Sequence, residues 1–222
     1  MAVFMVDDDI RVDCRSLKRG FEAWKSNPRS MVGYYPRLSL VDDDANPKLQ
    51  RQHVREPLPT TTSFIYHSWP MVYWRQQINF ILTKACFLHS HYMSLYSDPQ
   101  HHPIEILNYI DQYFNCEDVA MSLLVANVTK SSTSQVPARP IYVEGTVHDK
   151  GLFNGISTGT GHMTQRSKCL QDLTAIYQRH GWEIPLSQTF SLRESSWRRH
   201  RFGWQSQPSN IFEWFALSNI FK

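Results

Sequence analysis

The stretch Val3-Phe4-Met5-Val6-Asp7-Asp8-Asp9-Ile10 decides how this chain is read. Its four apolar residues have the composition of a short buried strand, and the strand runs directly into three carboxylates. In an α/β sheet of parallel strands, ligands bind beyond the carboxyl ends of the strands, so the triplet is expected to project where metal and phosphate are held. A hard divalent cation prefers oxygen ligands and is commonly bound by one or two carboxylates while phosphates complete its shell, the arrangement a nucleotide-sugar diphosphate needs. A solvated turn is the competing reading. Acidic residues also gather ahead of helices, and Asp13 followed by Leu17, Phe21 and Trp24 has the spacing of a capped amphipathic helix.

With 222 residues, 41% of them hydrophobic, the chain is long enough to bury the core of one globular domain. A formal charge of +3 spread along the length gives no electrostatic footprint for nucleic acid. No stretch is apolar and long enough to span a membrane, and the first residues carry no signal-peptide pattern. The four cysteines, Cys14, Cys86, Cys116 and Cys169, have no C-x-x-C spacing, which argues against a structural zinc site and a thioredoxin-type motif. Asn127-Val128-Thr129 is a glycosylation sequon of low weight, because it ends an apolar helical run.

Beyond the first strand and helix comes a second short apolar run, Met31-Val32-Gly33-Tyr34-Tyr35, ended by Pro36. Residues 41–62 read as a polar loop, and the second acidic triplet within it, Asp42-Asp43-Asp44, as a solvated turn followed by Asn46-Pro47. A strand is expected over 78–82, with a helix from Ala85 through Phe87, Leu88, His91, Tyr92 and Leu95. Another helix starts at Pro103, with Ile104, Leu107, Ile110 and Phe114 on one face, and ends at Asn115. A third apolar run, 119–125, follows Glu117-Asp118, whose charges suit the positive end of a helix. A strand over 140–143 and a glycine-containing segment over 150–161 precede a last clear helix over 162–180, stopped by Gly181. Residues 187–222 mix basic and aromatic side chains, among them Arg198, Arg199, Arg201, Phe202 and Trp204. They lack a recognisable nucleic-acid motif, so no nucleic-acid partner is expected.

Three motifs far apart in sequence carry chemistry together: the triplet at 7–9, Asn115-Cys116-Glu117-Asp118, and His162 followed by Gln165-Arg166-Ser167-Lys168-Cys169. In their order, and in the supporting stretches Gly20-Phe21-Glu22-Ala23-Trp24-Lys25, Val32-Gly33-Tyr34 and Ile81-Leu82-Thr83-Lys84-Ala85, the chain resembles the exostosin-type glycosyltransferases of family 64. The resemblance covers roughly 3–186. It implies an α/β fold of the GT-A type, a nucleotide-diphospho-sugar donor, and transfer with retention of configuration. The sugar implied is an N-acetylhexosamine carried on UDP, and the acceptor a glycan or glycolipid.

Residue by residue, the resemblance makes Asp9 the ligand of a Mn²⁺ bound to the donor diphosphate, with Asp7 and Asp8 reaching the ribose or sugar. It makes Asp118 the carboxylate beside the anomeric carbon and Arg166 the guanidinium near the diphosphate, a geometry that suits a guanidinium fork. Asn115, His162 and Tyr66 are the remaining substrate-binding candidates. Cys116 and Cys169 pair in the family, which implies an oxidising secretory lumen, Golgi or endoplasmic reticulum, with membrane anchoring supplied by any upstream segment. Cys14 and Cys86 are then buried thiols. Lys84 stands where animal members carry glycine and points to the plant-like branch, some of which glycosylate sphingolipid head groups. The family's domain begins with a strand-helix-strand unit for the nucleobase ahead of the triplet. The expectation is therefore an N-terminally truncated family 64 domain over 1–186, an irregular extension over 187–222, and a possible homo- or hetero-oligomer. The alternative is a non-catalytic remnant that binds acceptor or partner.

Overall fold

The computed structural model describes residues 1–42, 63–131, 137–150, 162–182 and 185–197. Expectations for the loop over 43–62, most of the glycine-containing segment and the tail from 198 onward fall outside them. In chain order the strands are β1 (Ala2–Val6), β2 (Ile10–Val12), β3 (Val32–Gly33), β4 (Pro36–Val41), β5 (Phe64–His67), β6 (Gln77–Ile78), β7 (Phe80–Ile81), β8 (Ala85–His89), β9 (Ile141–Val143), β10 (Val147–Asp149), β11 (Phe190–Ser191) and β12 (Ser196–Trp197). The helices are α1 (Cys14–Ser26), α2 (Trp69–Arg75), α3 (Ser90–Tyr96), α4 (Ile104–Tyr113), α5 (Glu117–Ser131) and α6 (His162–Arg179). The architecture is mixed α/β.

A five-stranded sheet in the order β1-β8-β3-β9-β12 organises the molecule. β8 is antiparallel to both β1 and β3, while β3, β9 and β12 pair in parallel. β1, β3, β9 and β12 therefore run in one direction with β8 reversed among them, so the expected parallel sheet is in fact a mixed one. The consequence for a site survives: the carboxyl ends of β1, β3 and β9 open on the same edge, the edge that carries the acidic triplet. A three-stranded sheet, β5-β4-β7, and two short ribbons, β2 with β10 and β6 with β11, complete the strands.

The expected helix from Ala85 is instead strand β8 followed by α3. Ala85, Cys86, Phe87 and Leu88 are all buried because both faces of this interior strand are covered. That removes the alternation by which a half-exposed strand is recognised. The expected strand over 78–82 is split into β6 and β7 by Asn79. Its buried amide donates to the carbonyls of Ser39 and Leu186 at 2.8 and 2.9 Å and accepts from the Ser39 N–H at 2.9 Å.

α5 runs through the middle of the core and is apolar on both sides. Val119, Ala120 and Leu123 pack with Leu170 and Leu173 of α6, whereas Leu124 and Met121 pack with Ile81 and Leu88. A helix buried all round has no polar stripe, which is why its sequence is a continuous run. Thr129 within it is buried and donates its hydroxyl to the Val125 carbonyl at 2.6 Å, so the sequon lies inside a packed helix. α1 has the expected cap: Asp13 accepts from the Ser16 N–H at 2.7 Å. Cys14, expected to be buried, is exposed at its start, while Cys86 is buried.

At Gly33 a side chain is excluded, since a Cβ there would lie 2.6 Å from the Ala85 carbonyl oxygen. Residues 187–197, expected to begin an irregular extension, are integrated into the fold. β11 pairs with β6, β12 pairs with β9, and Leu192 is fully buried between them. Two-residue strands are too short to show a period, so no pattern reports them.

Candidate active site

The triplet forms a tight turn beyond β1. The Asp7 N–H donates to the Lys84 carbonyl at 3.0 Å, the Ile10 N–H returns to the Asp7 carbonyl at 3.1 Å, and the Asp9 carbonyl accepts from the Lys150 N–H at 3.0 Å. Asp7 and Asp8 are exposed and Asp9 is partly buried. Loss of hydration pushes the Asp7 carboxyl above its usual range. Lys84 opposes the shift, and Asp9, Asp118 and Asp8 add to it. Asp7 therefore feels the acidic turn and Asp118 together, although more than a hundred residues separate them. Asp9 Oδ1 is buried without a protein hydrogen-bond partner, which is costly unless something else satisfies it. Its oxygen chemistry fits a hard divalent cation. Among the described residues no cluster of three or more histidine, cysteine or acidic side chains has metal-binding geometry, so such a cation would need oxygens from its ligand.

Beside the turn stands a group that sequence reasoning missed. Lys84 Nζ pairs with Asp149 Oδ2 at 3.0 Å and lies 5.7 Å from the centre of the Tyr35 ring. The Tyr35 hydroxyl donates to the same Asp149 oxygen at 3.3 Å, and burial, then Asp149, raises the phenol above its ordinary range. Asp149 Oδ1 is buried and unsatisfied, like Asp9 Oδ1. Asp149 reaches this place because β10 pairs with β2, with Asp149 opposite Ile10. An isolated His-Asp-Lys in sequence carries no mark of that pairing.

Asp118 and Arg166, 48 residues apart, meet in a buried ion pair in which Arg166 Nη1 donates to Asp118 Oδ1. They are 3% and 8% exposed, so each charge depends on the other. The same Asp118 oxygen accepts from the Val119 N–H at 2.7 Å, which ties the carboxylate to the first turn of α5. Burial works against the Arg166 charge, but Asp118, Tyr66 and Glu117 outweigh it, and the net shift is upward. Glu117, read in the sequence only as a helix-start charge, has its carboxyl raised by desolvation and then by Asp118. Its residue surface is largely open, so the effect comes from what crowds the carboxyl rather than from complete enclosure.

The structure joins Cys116 to Cys169, with a Cα–Cα distance of 6.2 Å. The bridge lies two residues before Asp118 and three after Arg166, so it fastens the ends of α5 and α6 that carry the pair. Cys116 sits at φ 76° and Phe114 at φ 48°, a double left-handed turn that lets the chain leave α4 and start α5. Asn115 serves that turn, since its Oδ1 accepts from the Cys116 N–H at 2.8 Å. Tyr66 is buried beside the pair. Its backbone N–H donates to Ser167 Oγ at 3.1 Å, and its hydroxyl accepts from Arg37 Nε at 2.8 Å. Arg37 is a second cation that the sequence did not single out. His162 is the first residue of α6, and its side chain lies outside the described residues.

Two carboxylate groups, the turn at 7–9 with Asp149 and the Asp118–Arg166 pair with Glu117, thus stand within electrostatic reach of each other near the edge where three co-directional strands end. Such a place suits a polyanion with its cation on one side and a developing positive centre on the other. No described helix is long and apolar enough to cross a membrane.

Comparison with known proteins identifies the family. The chain is 34% identical over 177 residues to glycosylinositol phosphorylceramide mannosyl transferase 1 of Arabidopsis thaliana, covering 78% of this chain and 45% of that protein. It is 32% identical over 177 residues to human exostosin-2, covering 79% and 21%. Against glucosamine inositolphosphorylceramide transferase 1 of Oryza sativa subsp. indica it is 30% identical over 198 residues, covering 88% and 23%. The chain therefore spans less than half the length of each of these relatives. Residues 1–191 match the glycosyl transferase family 64 domain, which contains both carboxylate groups, the Cys116–Cys169 bridge and Arg166, and the chain belongs to that exostosin-like family.

Proposed function

We propose that this chain is a metal-dependent glycosyltransferase of GT-A type that moves a sugar, an N-acetylhexosamine or a related hexose, from a UDP donor to a glycan or inositolphosphorylceramide-type acceptor with retention. One arrangement carries the reading: the disulfide ties together the starts of α5 and α6 that hold the buried Asp118–Arg166 pair, and in the acidic turn beyond β1 Asp9 keeps a buried carboxylate oxygen without a protein hydrogen-bond partner. Asp9, with its unsatisfied buried oxygen, is the ligand assigned to Mn²⁺. When bound to the donor diphosphate, that ion would supply Lewis-acid stabilisation of the leaving phosphate.

The chain's own residues provide the rest. Asp118 is assigned the negative charge beside the sugar ring where positive charge develops, and Arg166 pairs with and orients that carboxylate, its guanidinium fork of a kind that suits the diphosphate. Asp7 and Asp8 are assigned to hydroxyls of ribose or sugar, Asn115 to sugar or acceptor, Tyr66 to the donor and His162 to support of Arg166 near the diphosphate. The disulfide supports a lumenal secretory location for the working protein.

The test is calorimetric titration of the purified chain with UDP and UDP-sugars, with and without Mn²⁺, followed by a transfer assay on the ligands that bind. Mn²⁺-dependent binding that Asp9→Ala abolishes is expected, together with transfer that Asp118→Asn removes while binding persists. A folded chain that binds no UDP-sugar under either condition overturns the transferase reading. It would leave a module that binds acceptor or partner.

A further inference from the structure

The main sheet ends on one side in β12, a strand of 2 residues, and on the other in β1, a strand of 5 residues to which β8 alone is paired among the described residues. The register shows which backbone groups β1 turns outward. The Asp7 N–H donates to the Lys84 carbonyl at 3.0 Å and the Met1 carbonyl accepts from the Ser90 N–H at 2.8 Å, both in the register that sets Ala2 against His89 and Val6 against Ala85. Bonded positions alternate along an antiparallel pair, so the odd-numbered residues of β1 direct their N–H and C=O groups to β8. Ala2, Phe4 and Val6 direct theirs to the open side. Such an edge is a template for another strand, and native proteins blunt it with lysine, proline, a bulge or a very short strand. Ala2-Val3-Phe4-Met5-Val6 carries no charge and no proline. Only the opposite edge, β12, is blunted by its length.

The side chains give the open edge an apolar margin. Ala2 and Phe4 pack on the α1 side of the sheet, Val3 and Met5 on the other. Phe4 and Phe21 both meet Phe87, with ring centroids 4.6 and 6.0 Å apart. Phe21 and Val6 are 39% and 47% exposed, and Leu17, one turn before Phe21 on the same helical face, is 36% exposed.

The segment is complementary to itself. Set antiparallel about a two-fold axis at Phe4, a second β1 places Ala2 against Val6, Phe4 against Phe4 and Val6 against Ala2, and each pair exchanges two N–H···O bonds. A shift of two residues loses one of these pairs, and a shift of one opposes outward groups to inward ones. Charge selects the same arrangement. A parallel mate would crowd the two acidic turns together, whereas the two-fold keeps the two Asp7 residues about 20 Å apart, well beyond the roughly 8 Å screening length of physiological salt. Because the axis is normal to the sheet, α1 of both copies stays on one face, and the two Phe4 rings meet as a cross-strand aromatic pair.

We propose that β1 is a homodimer interface, at which a second copy of this chain adds its β1 antiparallel to the first, centred on Phe4, and joins the two main sheets into one. The inference is independent of the transferase reading, since it uses the outer side of β1 and none of the side chains assigned to donor, metal or acceptor.

The experiment is sedimentation velocity of the purified chain over a concentration series, with Val6→Lys and Ala2→Pro measured beside it. A monomer–dimer equilibrium that levels off at the dimer is expected. Val6 is exposed and the Ala2 N–H points away from β8, so both variants keep the β1–β8 ladder, and each should weaken association at least about tenfold. The register is read separately by oxidation in a Cys14→Ser background. Ala2→Cys mixed with Val6→Cys should give an inter-chain disulfide, because hydrogen-bonded antiparallel partners sit about 5.5 Å apart at Cα, within the reach of that bond, while either protein alone should not. A chain that sediments as a monomer throughout, association unchanged in both variants, or growth past the dimer without a plateau would overturn the interface. Cross-linking of Ala2→Cys to itself in place of the mixed pair would overturn the register centred on Phe4.

Discussion

At the scale of single residues, the buried pair Asp118–Arg166 has a structural part and a proposed catalytic part, and the two separate by measurement. Arg166→Ala leaves Asp118 buried without its partner and should cost about 3–5 kcal/mol in chemical denaturation. The double variant Asp118→Asn, Arg166→Met removes both charges and should recover much of that loss without recovering any transfer. Recovery of activity along with stability would show the pair to be only structural. Asp9→Asn keeps the shape of the acidic turn and should lower Mn²⁺ affinity, read by electron paramagnetic resonance of the free ion, by at least about tenfold. Lys84 and Asp149 belong to the same scale and were not legible as a pair. Lys84 was noted in the sequence for its family pattern, whereas Asp149 had no spacing to mark it.

At the scale of elements, the disulfide sets the register of α5 against α6. Closing the 53-residue separation is worth about 4 kcal/mol in the chain-entropy account. A Cys116→Ser, Cys169→Ser protein should therefore denature at markedly lower urea than the oxidised form. It should also lose turnover by more than its folded fraction explains, since both ends of the ion pair are released. The bridge was expected from family resemblance, but the cysteine count alone left the pairing open. Gly33 makes a second element-level prediction. A methyl group there must push β3 from β8, so Gly33→Ala should destabilise by roughly 1–3 kcal/mol, seen as a fall in melting temperature without a change in disulfide content. The helices α1, α4 and α6 were legible from their ends: Asp13 caps the first, Pro103 precedes the second and Gly181 stops the third. Of the expected faces, Leu17 and Phe21 in α1 and Ile104 and Phe114 in and after α4 are exposed, the buried apolar side chains being those of Ala23, Trp24 and Ile106.

At the scale of the whole molecule, the crowding of carboxylates along one sheet edge couples stability to pH. The Asp7 and Glu117 carboxyls are raised in the folded protein, chiefly by lost hydration. An acid whose folded pKa lies above its unfolded one contributes stability that is fully present below the unfolded value, about 4, and lost as pH rises through the folded value. Asp7→Asn should thus raise the melting temperature at pH 7 and lose that advantage near pH 4, a pattern that thermal scans across the acid range would check. An effect of the same size at both pH values would exclude titration of Asp7 as its cause. Stability sacrificed at the acidic turn is consistent with a site arranged for a cation and a polyanion.

The sequence by itself determined the mixed α/β class, the position of the acidic turn after the first strand, the capped first helix, and, through motif order, the family and the residues to examine. These are local or ordered along the chain, and local propensity, capping and apolar periodicity act within a few residues. Tertiary structure alone decided that β8 is a strand, that β8 reverses inside the main sheet, that residues 187–197 close that sheet, and that Lys84, Asp149 and Tyr35 assemble beside the triplet. Each of these depends on contacts between distant segments. A strand buried on both faces loses its period, and a cross-strand neighbour is chosen by packing and backbone pairing, which no short window of sequence contains.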